Sequence, residues 1–186
     1  MYTYTGRDVF PDTDTAPNLV DIAVSLGRMP RFAGHTDHWY PVLSHSYVVA
    51  ANMPDPAHRI FGLLHDAPEC VCSDVVTPWK PQEAKDNEME ILERISRKYG
   101  LPWPWPEVVW DAVHRADRHA LNAEAMVLGY KGAVLPNGTP DDGFLDDTHM
   151  MLTELGASTI DPDTSTKLFT EWFNLMYGLW ESESGG

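Results

Sequence analysis

The sequence predicts an all-α fold, a bundle of helices packed around one core. Three features lead to that expectation. Apolar residues recur three and four positions apart through most of the 186 residues, strand-like alternation of apolar and polar residues is absent, and Pro and Gly punctuate the periodic stretches where helices start and stop. Seven tryptophans and a hydrophobic fraction of 43% can fill one sizeable core, so residues 1–186 read as a single domain.

The first helix lies in "TAPNLVDIAVSLGR", where Leu19, Ile22, Ala23 and Leu26 share one face behind Pro17 and stop at Gly27. Further helices are expected at about 40–52, 57–67, 83–99 and 106–128. The helix at 83–99 is marked by Met89, Ile91, Leu92 and Ile95 and closed by Gly100. A stretch rich in Gly, Pro and Asp, about 129–146, reads as a loop. The segment "STKLFTEWFNLMYGLWES" then gathers Leu168, Trp172, Leu175, Met176 and Leu179 on a face expected to be core, giving a C-terminal helix at about 163–181. Residues 182–186 read as a disordered tail.

Charge and composition exclude several functions. With 28 acidic against 13 basic residues, a net charge of -15 opposes sequence-independent binding of a nucleic acid polymer, which relies on Lys and Arg displacing counterions. No basic start followed by an apolar stretch marks a secretion signal, and no run approaches the roughly 20 apolar residues that span a bilayer. A cytoplasmic protein without membrane contact is expected. Cys70 and Cys72 sit one residue apart, too close for a useful disulfide, which fits a reducing compartment.

Three polar sites interrupt the apolar faces. His45 in "YPVLSHSYVVAA" has Val42, Leu43, Val48 and Val49 at helical spacing, so it faces inward. His65 and Asp66 end the apolar run "HRIFGLL", and Asp117 has Val113, Ala120 and Leu121 three or four positions away. Taken alone, an inward histidine is usually a hydrogen-bonded core residue. Two aspartates beside two histidines are different, because a buried carboxylate is strongly disfavoured unless paired or coordinating. One divalent ion satisfies all four, and a mixed nitrogen and oxygen set suits Mn, Fe, Co, Ni or Zn rather than Ca.

The ordered set His45, His65-Asp66, Asp117 resembles the HD-domain phosphohydrolase signature, over residues 18–128. Within that superfamily, "HDAPECVCSDVVTPWK" is similar to a segment of bacterial 5'-deoxynucleotidases and of phage dATP triphosphohydrolases, with Glu69, Asp74, Pro78 and Lys80 in register. "RMPRFAGHTDHWYPVLSHS" resembles the Arg-aromatic pair that precedes the first metal histidine, and "RADRHALNAEA" the helix of the last metal aspartate. Pro68 departs from the pattern and should bend or end the helix just after Asp66.

The resemblance implies an HD-type helical bundle in which the ion acts as Lewis acid on a phosphoryl oxygen and activates a water. Two-metal enzymes of that superfamily need further histidines, and no convincing second set is present, so one principal transition ion is expected, with Mg accompanying a polyphosphate substrate. Asp66 would serve as ligand and catalytic residue, and Glu69 as general acid or base. Arg31, Lys80 and, more weakly, Arg118 and Lys85 would meet phosphate. Asp74 belongs to the same substrate set. Phe32 would pack where a ribose 2'-hydroxyl would sit and, with Pro78 or Trp79, stack on the base. His35 and His38 lie near Arg31 and His114 one turn before Asp117, whereas His58, His119 and His149 carry no expectation. Two reactions compete: triphosphate release from dATP, as in phages that replace adenine by 2-aminoadenine, with the host cytoplasm as its compartment, and dephosphorylation of deoxynucleoside monophosphates. A helical nucleotide-binding module with a purely structural metal is the alternative from another class, and a two-metal cyclic-nucleotide phosphodiesterase a further one. A homo-oligomer, dimer or hexamer, is expected alongside the small-molecule deoxynucleotide.

Overall fold

A computed structural model describes residues 1–75, 79–129 and 141–184. The described residues form an all-α bundle with no strand, and two isolated bridges, Tyr2 with Asp8 and Pro30 with Pro41, are the extended pairings recorded among them. Among the described residues no helix is long and apolar enough to cross a membrane.

Helix α1 (Leu19–Gly27) starts where Asn18 and Asp21 cap each other reciprocally. The Asp21 carboxylate, only 1% exposed, also accepts from the Thr5 amide and hydroxyl and so ties the N-terminal segment to the helix. Helix α2 (Val42–Ala51) is buried on nearly every side, because α1, α3 (Arg59–Leu64), α6 (Glu107–Val127) and α7 (Asp142–Met150) all pack against it. Its apolar residues therefore show no single face, and its one charged or imidazole-bearing side chain, His45, is fully buried.

The helix expected at 57–67 is shorter than its sequence suggests. A 3-10 turn, Pro56–His58, leads into α3, which ends at Leu64 rather than after Asp66. The proline ring clashes with a helical carbonyl four residues back, which here is that of Leu64. Tight bonds from the Ala67 amide to the Leu64 carbonyl and from the Glu69 amide to the Asp66 carbonyl replace the helix. Pro68 then caps the short α4 (Glu69–Cys72). His65 and Asp66 thus sit on a turn between two helices.

Helices α5 (Gln82–Lys98) and α6 match their expected spans. Met89, however, is exposed at 43%, whereas Ile91, Leu92 and Ile95 are buried. The loop expected at about 129–146 is overturned at its C-terminal end only: residue 129 is a turn, residues 130–140 lie outside the described residues, and 142–146 belong to α7, capped by the Asp141 side chain on the Phe144 amide. Asp142 in the first turn suits the helix dipole. A π turn, Met151–Leu155, and a 3-10 turn, Gly156–Ile160, lead to α8 (Pro162–Ser184). The C-terminal helix thus absorbs Ser182, Glu183 and Ser184 of the expected tail. Its buried face is Ser165, Phe169, Phe173 and Met176, and Leu175, expected in the core, is 64% exposed.

Candidate metal centre

Helix α2 supplies the floor of the site. His45 is 0% exposed and its ring centroid lies 5.2 Å from that of His65. Asp117 reaches the same point from α6, where Val113, Ala116, Ala120 and Ala123 form the inward stripe. One ligand atom from each of His45, His65 and Asp117 can be chosen so that all lie within 4.8 Å of one another. The His45 Nε2 is 3.1 Å from Asp117 Oδ1 and 3.5 Å from Asp66 Oδ2, and Asp66 Oδ1 is 3.3 Å from His65 Nε2. The side chain of His45 is wholly enclosed, those of His65 and Asp66 are 9% and 18% exposed, and that of Asp117 is 41% exposed, so the cluster opens to solvent past Asp117.

Both imidazoles are fixed from behind. His65 Nδ1 lies 2.7 Å from the Gly62 carbonyl, which can only accept, so that nitrogen carries the proton. His45 Nδ1 lies 2.6 Å from Glu124 Oε1. The two Nε2 atoms that remain are buried, and among the described residues neither makes a well-aligned hydrogen bond, although carboxylate oxygens of Asp66 and Asp117 stand beside them. Orphaned imidazole nitrogens beside two carboxylates are what a divalent ion would satisfy, and the donor set fits Mn, Fe, Co, Ni or Zn.

Electrostatics press for a cation at the same point. Burial and the Arg31 charge oppose protonation of His45, but Glu124 and Asp117 outweigh them and push its pKa up to about 10. Burial likewise works against charge on Asp117, yet the close approach and charge of His45, with the charges of His65 and Arg31, hold its carboxyl well below the usual carboxylate range. The anions around His45 thus require a positive partner, a proton or a metal ion, and the two compete.

Glu69, at the start of α4, is 6% exposed. Burial, then the charges of Asp66 and Asp74, push its carboxyl up to about 9 against the pull of Arg31 and Lys80. Its Oε1 is 3.7 Å from Lys80 Nζ, which also lies 2.7 Å from Glu88 Oε1, while its Oε2 is buried with no hydrogen-bond partner among the described residues.

Arg31 and Phe32 occupy a strained turn, Arg31–Gly34, in which Phe32 (φ 54) and Ala33 (φ 50) adopt left-handed conformations that β-carbon-bearing residues disfavour. Backbone bonds from Arg31 to Tyr40 and from Val42 to Met29 hold that turn against the start of α2. The Arg31 Nε and Nη2 donate to Glu124 Oε2 at 3.3 and 3.1 Å, and the guanidinium lies 5.6 Å from the Phe32 ring centroid.

The structure converges ligand atoms of His45, His65 and Asp117, while Asp66 stands outside that set with its carboxylate 3.5 and 3.3 Å from the two Nε2 atoms; Arg31 and Glu69 interact with the group electrostatically. Asp74 is half-buried, its amide donating to Met29 Sδ at 3.2 Å. Trp79 is 82% exposed and Arg118 is exposed, so neither is packed into the cluster. Pro78 lies outside the described residues. His114 is exposed and stacks on Trp110 instead of facing the site, and His35 and His38 are exposed. Glu124 is the residue that sequence reading missed. It stands seven positions after Asp117, two helical turns along the same stripe, and that spacing was the available signal.

No family model matches the chain. It is 35% identical over 131 residues to the uncharacterized protein YfdR of Escherichia coli, covering 68% of this chain and 71% of that one. It is 32% identical over 154 residues to an uncharacterized protein of Rhodobacter capsulatus, covering 74% and 78% of the two chains.

Proposed function

The chain belongs to one family with YfdR of Escherichia coli, and from that premise and the geometry of its site we propose that it is a metal-dependent phosphohydrolase that cleaves the 5'-phosphoester of a deoxynucleotide. One observation carries the proposal: two enclosed histidines, each with its Nδ1 engaged from behind, direct unsatisfied Nε2 atoms toward Asp66 and Asp117. His45, His65, Asp66 and Asp117 would hold the ion. Bound there, a divalent transition ion supplies Lewis acidity toward a phosphoryl oxygen and lowers the pKa of water.

The chain's own residues supply the rest. Glu69 is buried, and burial with the charges of Asp66 and Asp74 favours its protonated form, which suits it to give a proton to the departing 5'-oxygen. Lys80, held between Glu69 and Glu88, keeps that carboxyl in place and offers positive charge to a phosphate. The Phe32 ring, fixed by the strained turn and the Arg31 guanidinium, presents an apolar wall suited to a sugar without a 2'-hydroxyl. A purely structural metal would leave a buried Glu69 beside the cluster without a purpose.

Within this chemistry the dATP triphosphohydrolase reaction is the first substrate hypothesis, inherited from the resemblance of the "HDAPECVCSDVVTPWK" segment. A specific observation favours dephosphorylation of monophosphates as the second: Arg31 and Lys80 are already paired with carboxylates, leaving Arg118 and Lys85, both exposed, to meet a longer phosphate chain. Chromatography of products from dATP, dAMP and ATP with Mn or Co distinguishes them. Deoxyadenosine plus intact triphosphate supports the first, and phosphate from dAMP alone the second. Turnover that persists in Glu69→Gln, or no turnover of any nucleotide by metal-loaded protein, contradicts the proposal.

A further inference from the structure

We infer that Glu124 is the positioning residue of the metal centre, joining the His45 ligand and the Arg31–Phe32 turn into one unit through its two carboxylate oxygens. The inference rests on the metal reading of the cluster above. Glu124 is 0% exposed, deep in α6, and makes two different bonds. Its Oε1 faces His45 Nδ1 at 2.6 Å, and its Oε2 accepts from Arg31 Nε and Nη2 at 3.3 and 3.1 Å. The Arg31 guanidinium can only donate. Oε2 is therefore committed as an acceptor, and Oε1 is left to accept from His45. With its Nδ1–H held in that bond, His45 has a single nitrogen, Nε2, to give to a metal, and this is the atom 3.1 Å from Asp117 Oδ1.

Only a group with two acceptors can serve both neighbours. A glutamine at this position has one carbonyl and one NH2. If the carbonyl serves Arg31, the NH2 points at His45 Nδ1 and favours the tautomer protonated on Nε2, which cannot bind a metal. If the carbonyl serves His45, two donors meet at Arg31. Removing Arg31 resolves the conflict, because the glutamine carbonyl is then free to accept from His45.

The test is Co titration at one fixed pH of chelator-treated wild type, Glu124→Gln, Arg31→Met and the double variant, read by calorimetry and by the visible absorption of bound Co. The expected result is one site in wild type, a roughly 10- to 100-fold weaker site in Glu124→Gln with an altered Co spectrum, near-wild-type affinity in Arg31→Met, and partial recovery in the double variant. A folded Glu124→Gln that binds Co within about twofold of wild type overturns the inference, as does a double variant weaker than Glu124→Gln, the pattern of mere lost packing. Should Glu124→Gln fail to fold, nitrogen-15 spectra of Zn-loaded wild type decide: a proton on His45 Nδ1 supports the inference, and metal on Nδ1 overturns it. Wild type that binds no ion at all removes the metal reading itself, a result seen before any variant is compared.

Discussion

Gly62 of α3 lies directly against the α2 backbone, and replacing it by alanine sets two effects of known size against each other. Alanine is the better helix former by about 1 kcal/mol. The added Cβ, however, would stand 2.9 Å from Ala50 Cα, 3.0 Å from Met53 Cγ and 3.2 Å from Ala50 N. Met53 can turn aside, but the Ala50 backbone belongs to the buried α2 and can yield only if the two helices separate. Overpacking of this kind costs roughly 1–3 kcal/mol, and a backbone neighbour places it in the upper part of that range. The net expectation is a loss of about 1–2 kcal/mol, or a Tm lower by roughly 2–4 °C per kcal/mol for a chain of this size. The same separation disturbs the site, since α2 carries His45 and the Gly62 carbonyl holds His65 Nδ1. Thermal unfolding without metal and Co affinity are the two assays. A Gly62→Ala protein as stable as wild type would falsify the packing argument, and unchanged Co affinity despite lower stability would sever the link between the crossing and the site.

Two further expectations concern stability. Phe169→Ala should cost about 3–5 kcal/mol in urea unfolding, while Leu175→Ser, on an exposed position, should change little; a reversed order would show that the buried face of α8 is misplaced. Asp21→Asn should cost about 1–2 kcal/mol near neutral pH, because the amide cannot accept all the bonds that the carboxylate takes from Thr5 and Asn18. Burial opposes the charge of Asp21, but those bonds hold its carboxyl below the ordinary 3.8. The unfolded chain therefore binds the proton more readily, so this stabilisation is present above the unfolded value and vanishes as pH falls through the folded one. Stability curves of wild type and Asp21→Asn that fail to converge in acid would contradict it.

The all-α class was legible because helical periodicity is a local property, and it placed α1, α2, α5 and α6 within a residue or two. The His/Asp cluster was legible for a related reason: imidazole and carboxylate groups stand out against the apolar faces that α2 and α6 present to the core. What stayed hidden depends on long-range partners. Nothing near Arg31 in sequence says that Glu124, 93 positions away, takes its guanidinium. Helix α8 is apolar around much of its circumference, so periodicity alone could not choose between the stripe containing Leu175 and the one containing Phe169. At α7 a composition of Asp and Gly suggested a loop, although an aspartate before a helix is also a cap, as Asp141 proves to be.

The central claim is that His45, His65, Asp66 and Asp117 hold a catalytic ion, and metal stoichiometry tests it most directly. Wild type and the His65→Ala and Asp117→Ala variants, altered at partly exposed side chains that spare the core, would be dialysed to equilibrium with Co or Mn and analysed for bound metal. One ion per wild-type chain, lost or strongly weakened in both folded variants, is the predicted result. No bound ion in wild type, or the same stoichiometry and affinity in the variants, would contradict the account.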